Sequence, residues 1–486
     1  MMKKSFKLTL LFLILISVFL PIATSCSTTT ISARISQKSY TINVAVNVPS
    51  EIRQADDEKF STLPYSFANK QISSIQVNVI KAGTIVDSRT SDQLSNFTFN
   101  LEPGTYTFDV KAYFKESSQN KLYFYGSSTS NIGSQNTNVV IDTRLASGTI
   151  HLNVLPSDAT FVTEQATVTL QKLSGTTTTF TQIVGKPSGN LTLEVYPGIW
   201  QVTTEGILTS QSDQNDKRYS KTQQSKIIFV DVSEDEQITE KLQVPAESDI
   251  GSLLYVNVTD VHDGDTFKVG SQSYRLIGID APEVQSGSKP RGEYADESTD
   301  FLKSFIASGN GYVRIVSKGT DSYGRYLVYL LNNTGERLYP EESLKNGLSR
   351  PLIYQENVDS RFTPRIVNGY QLAFQNRKGI FSKYDTAPVV EQSTANKDSY
   401  VGKIVWLKGT VTNVSKDSTG KYTLTLDSGW ATIEIRNEEY SYFIAPFDMY
   451  SLQNKLVKFY GELWPGDASG TYKILLRARF EIISLN

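Results

Sequence analysis

Between about residues 35 and 245, apolar and polar residues alternate in short runs broken by Gly, Pro, Ser and Asn. Ile75-Gln76-Val77-Asn78-Val79 and Thr167-Val168-Thr169-Leu170 are examples. A period of two with frequent turn signals predicts β-sandwich modules. The stretch repeats itself. Asn96-Phe97-Thr98-Phe99-Asn100-Leu101-Glu102-Pro103-Gly104-Thr105-Tyr106 parallels Asn190-Leu191-Thr192-Leu193-Glu194-Val195-Tyr196-Pro197-Gly198-Ile199-Trp200, 94 residues later. Each copy reads as a strand, a Pro-Gly turn and a returning strand that opens on an aromatic residue. The pattern changes after a linker near 245–249. Helices are predicted over 292–307 and 340–347, the second with Pro340 at its first position, and a shorter one near 371–378. A second linker over 386–399 leads back to alternation, with strands at 403–414, 421–426, 431–436, 455–463 and 472–484. A helix is predicted around 438–452.

The expected architecture is therefore a mostly β, multidomain chain. Sandwich modules occupy 35–145 and 146–246, an α+β barrel domain with three helices 250–385, and a five-stranded barrel 400–486. The sandwiches resemble the immunoglobulin-like or transthyretin-like modules of secreted bacterial proteins and contain no catalytic constellation. They are read as spacers.

The chain has 486 residues and a formal net charge of −2, so no global basic field points to a polyanionic partner. One Cys excludes an internal disulfide and a thiolate metal cluster, and two His far apart in sequence leave little room for His-rich zinc sites or paired-histidine catalysis. Hydrolytic chemistry must come largely from carboxylates, arginines and tyrosines.

The single cysteine, Cys26, follows Lys3, Lys4 and Lys7, an apolar run over 8–20 and the residues Ala23-Thr24-Ser25. Thirteen apolar residues are too few for a spanning helix, which needs about 20, but suit a signal peptide. The segment resembles a bacterial lipoprotein signal. That resemblance implies cleavage after residue 25, lipidation of Cys26, a low-complexity tether over 26–34 and a place on the extracytoplasmic face of a membrane. Simple secretion is the alternative. Cleavage would remove three lysines and take the formal charge to −5.

Three motifs lie in order within 254–385: Asp263-Gly264-Asp265-Thr266-Phe267, Tyr274-Arg275-Leu276-Ile277-Gly278-Ile279-Asp280-Ala281-Pro282-Glu283, and Thr320-Asp321-Ser322-Tyr323-Gly324-Arg325. Each alone reads as a hairpin or glycine turn. Together they hold what phosphodiester hydrolysis requires. Asp265 and Asp280 offer carboxylates for a hard cation. Glu283 can position or deprotonate a water. Arg275 and Arg325 match the charge and geometry of a phosphate. Strand alternation would set Arg275 and Asp280 on opposite faces, so a bend near Gly278 is required.

On these motifs, residues 254–385 resemble the staphylococcal nuclease (thermonuclease) family. The resemblance implies an OB-type barrel flanked by three helices and Ca2+-dependent hydrolysis of DNA and RNA that leaves 3′-phosphate ends. By the same resemblance, Asp265, Asp280 and the carbonyl of Ala281 bind Ca2+. Glu283 is the general base, and Arg275 and Arg325 clamp the phosphate. Asp321 and Tyr323 contact substrate, with Tyr354 as a further substrate residue. The sequence departs from the family at Ser322, where lysine is common, and at Gly379-Ile380-Phe381, where Trp is preferred. His262 is read as a surface or packing residue. Residues 400–486 resemble a nucleic-acid-binding OB-fold, with Trp406, Lys408 and Arg436 as candidate contacts, although ten basic residues there meet nine acidic ones. The competing readings are a binding protein on a nuclease-like scaffold and an adhesin working through the sandwiches. No protein partner is implied.

Overall fold

The computed structural model describes residues 38–48, 71–134, 137–172, 179–185, 190–284 and 290–485. The apolar N-terminal run, Cys26 and the tether lie outside these residues. The chain is mostly β and separates into two compact units. One contains the described residues up to 48 with 73–112 and 126–143; the other contains the rest.

In the first unit, Tyr40–Asn47 pairs antiparallel with Phe97–Leu101 and parallel with Asn138–Asp142. Ile72–Lys81 pairs antiparallel with Thr84–Ser91. Alternate residues Ile42, Val44, Ile75, Val77 and Val79 are buried with Phe99 and Phe108, which accounts for the period of two.

The second unit opens with a sandwich. Gly148–Pro156 lies between Asn190–Val195 and Asp235–Leu242, facing a sheet built on Phe161–Lys172 and Gly198–Ser210. Both copies of the sequence repeat form a strand, a Pro-Gly turn and a strand. Gly104 and Gly198 share φ values of 151° and 148°, and the aromatic two residues on, Tyr106 or Trp200, is buried. The Trp200 indole donates to the Tyr196 carbonyl at 2.9 Å.

From Ser252 a six-stranded sheet runs in the order Ser252–Tyr255, Tyr312–Thr320, Tyr326–Asn332, Gln272–Leu276, Thr266–Val269, Val261–Asp263. Helices Ala295–Ala307, Tyr339–Lys345 and Thr363–Gln375 cover a core that includes Phe267, Leu276, Leu302, Phe305 and Val328. The first helix starts three residues later than predicted because Tyr294 is left-handed at φ 73°. The third runs over 363–375 rather than 371–378. Pro364 lies in its first turn, where proline initiates a helix instead of breaking one, and Ile366, Gly369, Tyr370 and Ala373 form its buried stripe.

Residues 404–475 close into a five-stranded barrel. Ile404–Lys416, Tyr422–Leu426 and Ala431–Ile435 form a meander, Tyr472–Leu475 pairs parallel with the third strand, and Leu456–Pro465 returns to the first. Two expectations fail here. The helix over 438–452 is a series of short turns, Asn437–Glu439, Tyr440–Ile444 and Met449–Leu452, because Pro446 supplies no N–H to continue one. The last strand breaks at Arg479–Glu481, where the buried Glu481 carboxylate accepts the backbone N–H groups of Arg477 and Ala478. Trp406 is buried, donates to the Tyr384 carbonyl and packs edge-on to that ring; Lys408 pairs with Glu391. That face is occupied by packing and offers no indole to stack on.

Candidate active site

Arg275 is the penultimate residue of the strand Gln272–Leu276, after which the chain turns. Gly278 makes the turn at φ 89°, and a Cβ there would sit 2.4 Å from Ile366 Cδ1. A separate strand, Gly278–Asp280, begins and pairs with Arg350–Leu352. The required bend is present, and it brings Asp280 back to Arg275. Arg275 Nη2 lies 3.3 Å from Asp280 Oδ1 and Nη1 lies 3.0 Å from Asp265 Oδ2. Nη1 also donates to the carbonyls of Leu276 and Ile279. Asp265 Oδ2 accepts the Ala281 N–H at 2.7 Å, and Oδ1 accepts the Thr266 hydroxyl at 3.0 Å.

Burial pushes the Asp265 carboxyl well above the usual carboxylate range, with Asp263 and Asp280 adding to the effect and Arg275 opposing it. Burial also works against the charge of Arg275, but Asp265 and Asp280 outweigh it and raise the guanidinium further. Crowded carboxylates of this kind are what a dication relieves. Asp265 Oδ2 and Asp280 Oδ1 share the Arg275 guanidinium in the lining of an open cleft, and both are hard oxygen donors of the kind Ca2+ takes. Among the described residues no group of three or more His, Cys, Asp or Glu side chains gathers for a metal. A shell would therefore need carbonyl or water ligands beside these two carboxylates.

The turn between Tyr312–Thr320 and Tyr326–Asn332 lines the same cleft. Asp321 Oδ1 accepts the N–H groups of Tyr323 and Arg325, and Oδ2 accepts Arg325 Nε at 2.8 Å. Burial alone would raise the Asp321 carboxyl; the Arg325 N–H and guanidinium outweigh it and hold it below the usual range. Arg325 thus lies on Asp321 and beside the Tyr323 ring, just before the strand that pairs with the one carrying Arg275. Tyr323 is 84% exposed. Glu283 and Tyr354 line the same cleft of about 920 Å³, as does exposed His262. Asp265, Asp280, Ala281 and Arg275 are in direct contact; Glu283, Asp321, Tyr323, Arg325 and Tyr354 surround them.

Sequence inspection missed several residues. Asp263 is buried and accepts the Asp265 N–H at 3.0 Å. Lys318, which also lines the cleft, pairs with Asp359. Three more come from the C-terminal barrel. Arg477 lies 2.9 Å from Asp280 Oδ2, and Arg436 stacks on the Tyr354 ring at 4.0 Å. Glu462 is buried behind Asp280, where burial, with Asp280 and Glu283 adding, pushes its carboxyl up to about 8 against Arg350 and Arg477. Only Asp263 carried a local signal, its place in the Asp-Gly-Asp turn.

A family profile described as "Staphylococcal nuclease homologue" matches residues 273–383, a range that holds the second and third motifs and begins just after Asp265. The chain is 31% identical over 129 residues to a protein named Thermonuclease from Staphylococcus hyicus, covering 26% of this chain and 74% of that protein. It is 29% identical over 116 residues to Thermonuclease from Staphylococcus intermedius, covering 23% and 67%. A protein named Probable endonuclease LCL3 from Clavispora lusitaniae is 29% identical over 146 residues, covering 24% and 61%. With the two carboxylates, their bridging arginine and the Asp321–Arg325 turn in one cleft, the chain belongs, through this domain, to the staphylococcal nuclease family.

Proposed function

We propose that this protein is a Ca2+-dependent nuclease that hydrolyses phosphodiester bonds of DNA, RNA or both and leaves 3′-phosphate ends. It works on the extracytoplasmic face of a bacterial membrane, to which a lipidated Cys26 anchors it. The observation that carries the reading is Arg275 bridging Asp265 and Asp280 at the floor of a cleft rimmed by Glu283 and Arg325.

Asp265, Asp280 and the Ala281 carbonyl would hold the ion, which when bound supplies Lewis-acid polarisation of a phosphoryl oxygen. Arg275 and Arg325, from adjacent segments that line the cleft, approach a phosphate there and neutralise the charge that grows on its equatorial oxygens. Glu283 orients the attacking water and takes its proton. Asp321 fixes the approach of Arg325 through Nε and leaves the remaining guanidinium nitrogens for substrate. Tyr323 and Tyr354, both exposed on the rim, contact the flanking nucleotide.

Digestion of single- and double-stranded DNA and of RNA by the mature chain, with Ca2+ and with chelator, beside Glu283→Gln, tests the reaction. Calcium-dependent cleavage that the variant loses is the expected result. Intact substrate in every lane, with the protein folded, ends the enzymatic reading. Phosphatase treatment of the products checks the 3′ ends, and labelling with radioactive palmitate beside Cys26→Ser checks the anchor.

A further inference from the structure

We infer that the C-terminal barrel is a wall of the nuclease site and not a separate nucleic-acid-binding module, with Arg477 positioning Asp280 and Arg436 positioning Tyr354. The inference rests on the nuclease reading above.

Asp280 is held from two sides. Arg275 takes Oδ1, and Arg477, 197 residues away in sequence, takes Oδ2 at 2.9 Å. Arg477 is 3% exposed and is itself fixed. Its Nη1 lies 3.3 Å from the buried Glu439, and its backbone N–H donates to Glu481 at 2.7 Å. Glu481 in turn pairs with Arg350, the residue directly opposite Asp280 in the two-stranded pairing. The strand that carries Asp280 and the arginine that grips Asp280 are therefore tied to the same buried carboxylate. Two guanidinium groups, one on each oxygen, fix the plane of the Asp280 carboxylate.

Charge and orientation make opposite predictions. A fixed cation beside a cation site weakens binding by repulsion, so removing Arg477 would tighten Ca2+ if charge dominated. Partners that orient a ligating carboxylate are instead worth about 10–100-fold in metal affinity. The double anchoring of Arg477 favours orientation.

Tyr354 is held by the same barrel. Arg436 lies over its ring at 4.0 Å and donates to the Ile353 carbonyl at 2.8 Å. One face of the ring is covered by the guanidinium, and the residue still lines the cleft at 43% exposure, an arrangement suited to stacking a base. The near-balance of charge in 400–486 agrees with a wall and not with a second electrostatic binding groove.

The test is calorimetric Ca2+ binding and steady-state cleavage of single-stranded DNA by the full mature chain and its Arg477→Met, Arg477→Lys and Arg436→Met variants, each checked by thermal melting. Arg477→Met should weaken Ca2+ binding by about tenfold or more, with Arg477→Lys recovering part of the loss. Arg436→Met should raise KM by about fivefold and leave Ca2+ affinity and kcat within about twofold. If Arg477→Met does not fold, Arg477→Lys carries the test, with Ca2+ binding weakened at least about threefold. Wild-type or tighter Ca2+ binding by the Arg477 variants overturns the inference. So does an equal loss of Ca2+ affinity in Arg436→Met, which would mean that the seam has merely loosened. A wild-type chain that neither binds Ca2+ nor cleaves sinks the nuclease reading itself.

Discussion

Arg314, on the strand Tyr312–Thr320, and Asp216, in the second sandwich, form an ion pair in which the arginine is buried and the acid half-buried. Arg314 is 1% exposed and also donates to the carbonyls of Lys217, Gly251 and Asn333. The sandwich is thereby fastened to the six-stranded sheet that also carries Arg275. Removing one partner of a buried pair leaves the other charge uncompensated, at a cost of about 3–5 kcal/mol. Asp216→Ala should lower the melting temperature of this unit by several degrees, while kcat at a temperature where the protein stays folded changes little. An unchanged melting temperature would show that the pair contributes no stability.

The two arginines proposed to clamp the phosphate should separate in their side effects. Arg325 is a third exposed and lies on a surface turn, so Arg325→Ala should keep stability within about 0.5 kcal/mol. It should still lower kcat by about a hundredfold. Arg275→Ala should lose as much activity and also stability, because Asp265 would remain buried beside Asp263 and Asp280 without its cation. Paired denaturation curves and cleavage rates check both.

Glu462 gives stability a pH dependence of definite sign. Its carboxyl stands at about 8 in the folded chain against 4.5 ordinarily. The contribution is fully present below about pH 4.5. It falls as the unfolded chain ionises first and is lost once pH passes about 8, a change on the order of 4 kcal/mol. Glu462→Gln should flatten the decline in denaturant midpoint between pH 5 and 8.5, as read from curves at several pH values. A decline of equal slope in the variant would assign it to other groups.

Gly278→Ala should damage the site from outside it. The substitution forces a Cβ onto Ile366 at a left-handed φ, for a strain of about 1–3 kcal/mol. The turn it distorts is the one that returns Asp280 to Arg275. Stability and Ca2+ affinity should fall together, measured by melting and calorimetry. A loss of stability alone would mean that Asp280 keeps its place without the glycine.

The legible part of the site is the part built from short-range geometry. Asp265 and Ala281 meet across a hairpin and the Gly278 turn, sixteen residues apart, and Asp321 caps the N–H groups of residues two and four positions ahead. Such contacts follow from turn chemistry, and the need for a bend between Arg275 and Asp280 followed from the two-residue period alone. Arg477 and Glu462 had no such signal, because each is an ordinary strand-end or alternating residue until the barrel packs on the nuclease domain, and Arg436 pointed to a binding face of the barrel and not to Tyr354. Trp406 misled for the same reason: an aromatic beside a lysine looks like a binding face until Tyr384 and Tyr460 cover it. The third helix was misplaced because Pro364 starts a helix as readily as it ends one.

The Glu481 carboxylate gathers Arg350, the Tyr370 hydroxyl and the Arg477 backbone into one buried knot. Arg350 and Tyr370 emerge from the ribosome more than a hundred residues before the acid that neutralises them. Until residue 481 arrives, the nuclease sheet carries an unmatched guanidinium where its interior should close. Sequence separation of this size slows the final closure and leaves apolar surface open meanwhile. The order of synthesis thus sets a clock: the segment that holds the chemistry is translated first and becomes structurally complete late, when the chain that finishes its wall has been made.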